Sequence, residues 1–265
     1  MTGLLHIAAT FERARAEQRA AFMPYYTLGF PTPAIAVNVV KAIAASGADL
    51  IELGVPFSDP LADGPSIQHS TQVALEQGMT VARCIQAVAE LRAAGVTQPF
   101  LLMGYINPIL AYGVEKYVAD AVSAGADGFI VPDLPPEEAA EMDAACRTHG
   151  AALVYLAAPT STDERLAALA QKTTGFLYLV SLTGVTGERQ EVSAGLRDFA
   201  ARARRVCTLP LAVGFGVSTP AMARQVGEIA DGVIVGSALI NVANKARNPA
   251  QAAGEFVCQM RTALG

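Results

Sequence analysis

The stretch Gly47-Ala48-Asp49-Leu50-Ile51-Glu52-Leu53-Gly54 reads as a helix end, a tight turn and a buried inner strand. It recurs in weaker form as Gly125-Ala126-Asp127-Gly128-Phe129-Ile130-Val131-Pro132 and as Ile229-Ala230-Asp231-Gly232-Val233-Ile234-Val235-Gly236. Outward from these copies, short β-rich apolar runs alternate eight times with longer Ala-rich stretches. The predicted strands are Phe22–Thr27, Leu50–Leu53, Phe100–Met103, Gly128–Val131, Ala152–Leu156, Phe176–Val180, Leu211–Val213 and Gly232–Val235. Most are continuous apolar runs without alternation, the pattern of parallel strands buried on both faces. Between them lie predicted helices at Ile35–Ala45, Val81–Ala93, Val114–Ala124, Glu137–Thr148, Thr162–Ala170 and Ala221–Ile229. Thr162 with Asp163 can open one of these, and Gly47, Gly125 and Gly150 follow the last turns of others.

Eight βα units in 265 residues close most naturally into a single-domain (β/α)8 TIM barrel. An extra N-terminal helix with a charged second half precedes it. A doubly wound open sheet competes, but the first βα turn, Leu28-Gly29-Phe30-Pro31, is no dinucleotide fingerprint. No interior linker or composition break marks a second domain, so residues 1–265 read as one barrel.

The chain is 52% hydrophobic and 16% charged, with a net charge of −5. Its one basic cluster, Arg202-Ala203-Arg204-Arg205, fits the solvated end of a helix better than a nucleic-acid patch. The first twenty residues lack the basic leader and apolar core of a signal peptide, and no apolar run is long enough to span a bilayer. Cys84, Cys146, Cys207 and Cys258 are far apart and form no CxxC pair, so free thiols in a reducing, cytoplasmic setting are expected.

In a barrel, catalytic groups sit at the C-terminal strand ends and on the loops that follow. The segment Ile51–Gln68, IELGVPFSDPLADGPSIQ, supplies two candidates there. Glu52 lies inside an apolar run, where a charge is unfavourable without a partner or a task. Asp63 follows in a loop punctuated by Gly64 and Pro65. Two acids facing one cavity from different environments are the raw material of acid–base chemistry. Taken alone they also fit a backbone-bonded buried carboxylate and a turn-fixing Asp.

Tyr25, Tyr105 and Tyr178 fall at strand ends, giving aromatic walls, and Pro132-Asp133 ends another strand. No Lys, His or Cys does so, which argues against Schiff-base, thiol and triad mechanisms. His6, His69 and His149 show no recognisable partner and read as structural or exposed. Glu52, Asp59 and Asp63 could gather a cation, yet no His/Cys spacing supports a metal.

The last three strands run into glycine-bearing turns: Ser181–Glu188, Gly214–Ser218 and Gly236–Ala238. Glycine lets backbone N–H groups approach an anion, and a helix starting at Ser237 adds its positive end. Barrels frequently bind phosphate at this place. The long loop Thr183–Gln190, with two glycines, reads as a lid that is weakly ordered without ligand.

IELGVPFSDPLADGPSIQ, YYTLGFPT, LLMGYINPIL, GFIVPDLP, LVSLTGVTG, LAVGFGVST and VIVGSALI closely resemble, in order and spacing, the α subunit of tryptophan synthase. The resemblance runs from Phe22 to Ile240. It implies cofactor-free retro-aldol cleavage of indole-3-glycerol phosphate to indole and glyceraldehyde 3-phosphate. By carry-over, Glu52 is the general acid/base, and Asp63 stays ionised to hold the indole N–H. Tyr25, Met103, Tyr178 and Phe215 line the indole pocket, with Tyr105 near Asp63. Gly187, Gly216, Gly236 and Ser237 hold the phosphate, and Thr186 closes the lid onto Asp63. The resemblance also implies a β subunit carrying pyridoxal phosphate in an α2β2 assembly, with the loops Val55–Pro60 and Asn107–Gly113 at the interface. A free-standing indole-3-glycerol-phosphate lyase and a non-catalytic phosphate-binding regulatory barrel are the alternatives. A sugar-phosphate isomerase fits the glycines but not the apolar pocket.

Overall fold

A computed structural model describes residues 2–180, 194–214 and 216–265. The strands are β1 (Ala21–Thr27), β2 (Ile51–Gly54), β3 (Phe100–Met103), β4 (Gly128–Ile130), β5 (Ala152–Val154), β6 (Leu156–Ala157), β7 (Leu177–Val180), β8 (Leu211–Gly214) and β9 (Gly232–Val235). All ladders are parallel, in the order β5-β4-β3-β2-β1-β9-β8-β7-β6. The two ends of that order, β5 and β6, are separated in sequence by Tyr155 alone, so the sheet closes into a barrel of eight staves.

The predicted run Ala152–Leu156 is therefore one stave made of two short strands. The Tyr155 N–H leaves the ladder to bond Thr173 Oγ1 at 3.1 Å, while the Tyr155 hydroxyl reaches Asp143 Oδ1 on the outer side.

Period-two alternation sorts the strand residues into two cores. Met23, Tyr25, Leu101, Ile130, Val154, Phe176, Tyr178, Ala212 and Ile234 fill the barrel interior. Phe22, Tyr26, Ile51, Leu53, Phe100, Phe129, Leu177 and Val233 face outward to the ring of helices. Helix α1 (Gly3–Ala16) belongs to the interior core through Ile7, Phe11 and Ala14. Its Phe11 ring lies 5.7 Å from that of Phe176, and its Leu4 N–H bonds the Gly150 carbonyl. The extra N-terminal helix thus plugs the barrel at the N-terminal strand ends.

The outer helices are α2 (Pro33–Ala45), α3 (Pro65–Glu76), α4 (Val81–Ala93), α5 (Ile106–Tyr112), α6 (Val114–Ala124), α7 (Ala140–His149), α8 (Asp163–Lys172), α9 (Ala194–Val206), α10 (Pro220–Gly227), α11 (Ser237–Lys245) and α12 (Pro249–Thr262). Thr162 caps α8 by accepting from the Arg165 N–H, and Gly125 and Gly150 end α6 and α7 in the left-handed conformation.

The repeated Asp has a structural cause. Asp49, Asp127 and Asp231 each accept the N–H of the preceding stave through a carboxylate oxygen at 2.8 Å, from Phe22, Phe100 and Leu211 respectively. Each returns its own N–H to the same residue's carbonyl. An arginine neutralises each one: Arg19, Arg92 and Arg204. Thr174 makes the fourth copy, accepting the Leu153 N–H through its hydroxyl at 2.8 Å and donating its own N–H to the Leu153 carbonyl.

The basic cluster does lie at the end of α9, but Arg204 is tethered in this way and Arg202 bonds Asp163 at 2.9 Å. Both are ties rather than a purely solvated face.

Asp127→Ala is expected to lower stability by about 2–4 kcal/mol, because it strands the buried Phe100 N–H and unpairs Arg92. Thr174→Ala, which removes a neutral acceptor, is expected to lower it by about 1 kcal/mol. Urea unfolding of the two variants checks the order; equal losses would deny the charged copies their greater weight.

Candidate active site

At the C-terminal mouth of the barrel, alternate strand residues converge on one cavity. Tyr25 of β1, Glu52 of β2, Met103 of β3, Tyr178 of β7 and Ile234 of β9 reach it from the strands. The loop after β2 folds over the mouth and adds Asp63 and Gly64, and α3 adds Ile67. Gly216, Val217 and Ser218 after β8, with Gly236, Ser237 and Ala238 after β9, complete the opposite wall.

Two glycines make room for the aromatic walls. A Cβ on Gly54 would stand 2.1 Å from the Tyr25 hydroxyl, and one on Gly214 would stand 2.2 Å from the Tyr178 hydroxyl. Any side chain there displaces a tyrosine ring.

Glu52 is fully buried, and neither of its carboxylate oxygens has a hydrogen-bond partner among the described residues. Burial without compensation pushes its carboxyl up to about 8. It is therefore a proton-loaded acid at neutral pH. Asp63 sits in a different setting. Burial raises it to about 6, against the opposing effect of a hydrogen bond from Tyr105, so it is mostly ionised at neutral pH. The Tyr105 hydroxyl also accepts the Ala62 N–H at 3.0 Å, and its ring packs 5.5 Å from that of Phe57. Tyr105 thus anchors the loop that carries Asp63 rather than forming the cavity wall itself.

The glycine side of the cavity has the features of an anion site. Gly216 adopts φ +81°, a conformation that side chains resist. Helix α11 starts at Ser237 with Gly236 as its cap and, among the described residues, no side-chain cap bond, so its first-turn N–H groups and positive end lie at the cavity.

Glu52, Asp63, Tyr25, Met103, Tyr178, Gly216, Gly236 and Ser237 are thus brought together, with Tyr105 behind Asp63. Thr186, Gly187 and Phe215, and the lid Thr183–Gln190, lie outside the described residues. Ile67 and Ile234 were not foreseen as wall residues. Strand periodicity from Gly232 points to Ile234, and Pro65 after Gly64 is a first-turn signal that would have placed Ile67 on a helix.

Other candidates resolve into structural tasks. Asp133 accepts the Ile106 N–H at the start of α5, and Asp59 accepts from its neighbour Ser58. Two histidines have partners that the sequence does not display: His6 bonds Asp127, and His149 bonds Glu115, each at 2.8 Å. All four cysteines are free thiols. Among the described residues, no three His, Cys, Asp or Glu side chains gather to hold a metal, and no helix is long and apolar enough to cross a membrane.

A closed parallel barrel whose cavity opens at the C-terminal strand ends, with two acids inside it, defines a (β/α)8-barrel enzyme. The family model for the tryptophan synthase alpha chain matches residues 11–264. The tryptophan synthase alpha chain of Roseiflexus sp. (strain RS-1) is 52% identical over 240 residues, covering 91% of this chain and 92% of that one. The crystal structure of the tryptophan synthase alpha subunit from Legionella pneumophila str. Paris superimposes with a TM-score of 0.91 at 40% identity, over 98% of both chains. Tryptophan synthase of Saccharomyces cerevisiae is 45% identical over 238 residues, 89% of this chain but 34% of the longer yeast protein. The chain belongs to the tryptophan synthase alpha chain family, lyases of tryptophan biosynthesis that split indole-3-glycerol phosphate into indole and glyceraldehyde 3-phosphate.

Proposed function

We propose that Glu52 and Asp63 divide the acid–base work of this cleavage. The observation that carries the assignment is a fully buried Glu52 with two unpartnered oxygens, facing the same cavity as Asp63. Glu52, loaded with a proton at neutral pH, protonates the indole ring at C3. Positive charge then develops at the ring nitrogen, and ionised Asp63 holds the N–H and stabilises that charge. The resulting Glu52 carboxylate takes the proton of the glycerol hydroxyl next to the scissile bond. The carbonyl forms, the C–C bond breaks, and its electron pair returns to the ring and restores neutral indole. Glu52 ends the cycle protonated, and no redox or carbonyl-activating cofactor is needed on this chain.

Tyr25, Met103 and Tyr178 clasp the indole. The phosphate lies against Gly216, Gly236 and Ser237 at the start of α11. Thr186, Gly187 and Phe215 keep the lid, phosphate and wall roles that the resemblance assigns to them. Residues 1–265 work as one barrel domain, a reading supported by the family match over residues 11–264.

The partner is a pyridoxal-phosphate-dependent β subunit that receives indole in a cytoplasmic α2β2 assembly. Two exposed leucines support this reading. Leu110, 56% exposed, lies within Asn107–Gly113, and Leu61, 92% exposed, directly follows Val55–Pro60. The two loops follow the adjacent strands β2 and β3, so both leucines lie on the same rim of the barrel, where exposed apolar surface suits a docking partner. The match to about a third of the longer yeast tryptophan synthase agrees with an alpha unit that works beside another unit.

Indole release from indole-3-glycerol phosphate by the purified chain, alone and with a tryptophan synthase β chain, tests both parts. Slow release that rises at least tenfold with the β chain is the expected result. Fast release indifferent to the β chain indicates a free-standing lyase, and no release in either case overturns the catalytic assignment.

A further inference from the structure

Helix α3 carries part of one cavity wall, yet it has little apolar surface with which to hold its place. Its buried face is Ser70, Thr71 and Ala74, whereas α2 buries Val37, Val39, Val40 and Ile43. Hydrophobic attachment scales with the apolar area removed from water and has no direction of its own. Three small side chains therefore fix the position of α3 only loosely.

A buried polar tie supplies the direction. Thr27, the last residue of β1, and Ser70 of α3 are both 0% exposed, and their hydroxyl oxygens lie 2.7 Å apart. At one end, Ser70 Oγ donates to the Ile67 carbonyl at 2.9 Å. At the other, Thr27 Oγ1 lies 3.3 Å from the Tyr25 hydroxyl. A carbonyl oxygen has no proton to give, so the single proton of Ser70 is engaged at Ile67. Ser70 then accepts from Thr27, and Thr27 accepts from Tyr25. All three hydroxyls are satisfied, and a shift of α3 would leave a buried one unpaired.

The two ends of this row are two walls of the cavity. Tyr25 of β1 and Ile67 of α3 both line it. They meet at one corner: a Cβ on Gly236 would stand 3.4 Å from Tyr25 Cδ1 and 3.5 Å from Ile67 Cδ1. Asp63 is held separately, by its hydrogen bond from Tyr105. The row thus acts on the apolar corner and not on the acid.

We propose that Thr27 and Ser70 are positioning residues that fix the Tyr25–Ile67 corner and so keep the indole subsite preformed before the ring arrives. A preformed wall spares the ligand the cost of ordering it. The role rests on this cavity being the indole site of the cleavage reaction.

The chain contains no tryptophan, so the fluorescence of added indole reports its binding without background from the protein. Ser70→Ala and Thr27→Val should each weaken indole binding about fivefold, the effect of one buried hydrogen bond. Thr27→Ser, which retains the hydroxyl, should bind as the unsubstituted chain does. Adding Ser70→Ala to Thr27→Val should bring little further loss, because the bond they share is already broken. Ser70→Ala introduces no new atoms, so it reads the tie even where Thr27→Val impairs folding. In the reverse reaction, condensation of indole with glyceraldehyde 3-phosphate, KM for the aldehyde phosphate should change less than about twofold in Ser70→Ala. That selectivity separates a fixed indole wall from general loosening of the barrel mouth.

Indole affinity unmoved by both Ser70→Ala and Thr27→Val overturns the proposal, as does an equal rise in the indole Kd and the aldehyde-phosphate KM. If the unsubstituted chain cleaves indole-3-glycerol phosphate while its indole affinity ignores both changes, the reading of the site stands and the tie falls. If it neither binds indole nor cleaves the substrate, both fall.

Discussion

Glu52→Gln is expected to lower kcat for indole release by at least about 10³-fold, with KM changed less than about threefold. General acid–base catalysis by one group contributes roughly 10²–10⁴-fold, and here the same carboxyl serves twice, delivering one proton and collecting another. The split between the two constants is the informative part. At neutral pH, Glu52 is a neutral acid, since burial holds its carboxyl up at about 8. The replacement amide is neutral and nearly isosteric, so the cavity that meets the substrate is little altered in shape or charge. What disappears is the transferable proton. Steady-state kinetics in the presence of the β chain would measure this, and turnover within tenfold of the unsubstituted chain would remove Glu52 from the mechanism.

The legible parts of this chain are those in which one local rule decides. Parallel strands buried on both faces show as uninterrupted apolar runs, and Phe100–Met103 and Gly232–Val235 have the same bounds in sequence and structure. The Ala-Asp repeat was visible because a strand-start Asp bonds the neighbouring stave each time. Its fourth copy was not, because Thr174 does the same work with a different side chain and no arginine. Helix α3 received no bounds from the sequence, because only Pro65 at its first turn announces its start. The split at Tyr155 depends on Thr173, eighteen residues on, and no local pattern carries that.

At the site, Glu52 was conspicuous as a charge in an apolar run, and the final glycines by their recurrence. Tyr105 as an anchor for the Asp63 loop and Ser70 as the partner of Thr27 are tertiary facts, each joining residues 43 apart. The chemistry was therefore legible where a single side chain violates its surroundings, and illegible where its effect passes through a neighbour.

The same violation gives the second large effect, on stability. Glu52 is expected to make the folded chain less stable as pH rises from about 4.5 to about 8. Its ordinary value of 4.5 applies in the unfolded chain, and about 8 applies in the folded one. Between these values the folded state holds a proton that the unfolded state has released. Stability therefore falls with increasing pH, and the contribution present below 4.5 is lost by the time the folded carboxyl ionises. Over the full window the difference is about 3–5 kcal/mol for this wholly buried group. Asp63, raised by burial in the same direction, adds to the fall below about pH 6. Glu52→Gln cannot ionise and should lose the Glu52 contribution. Its Tm should lie near that of the unsubstituted chain at pH 5 and about 10 °C above it at pH 9, where the native carboxylate is charged without a hydrogen-bond partner. Thermal unfolding across that range measures the divergence. Parallel curves would mean that Glu52 ionises in the barrel as it does in water, and the proton reservoir assigned to it would not exist. Divergence, together with the loss of turnover, would show the buried acid destabilising the fold at the position where the reaction needs it, as expected when a catalytic group is held against its solvation preference.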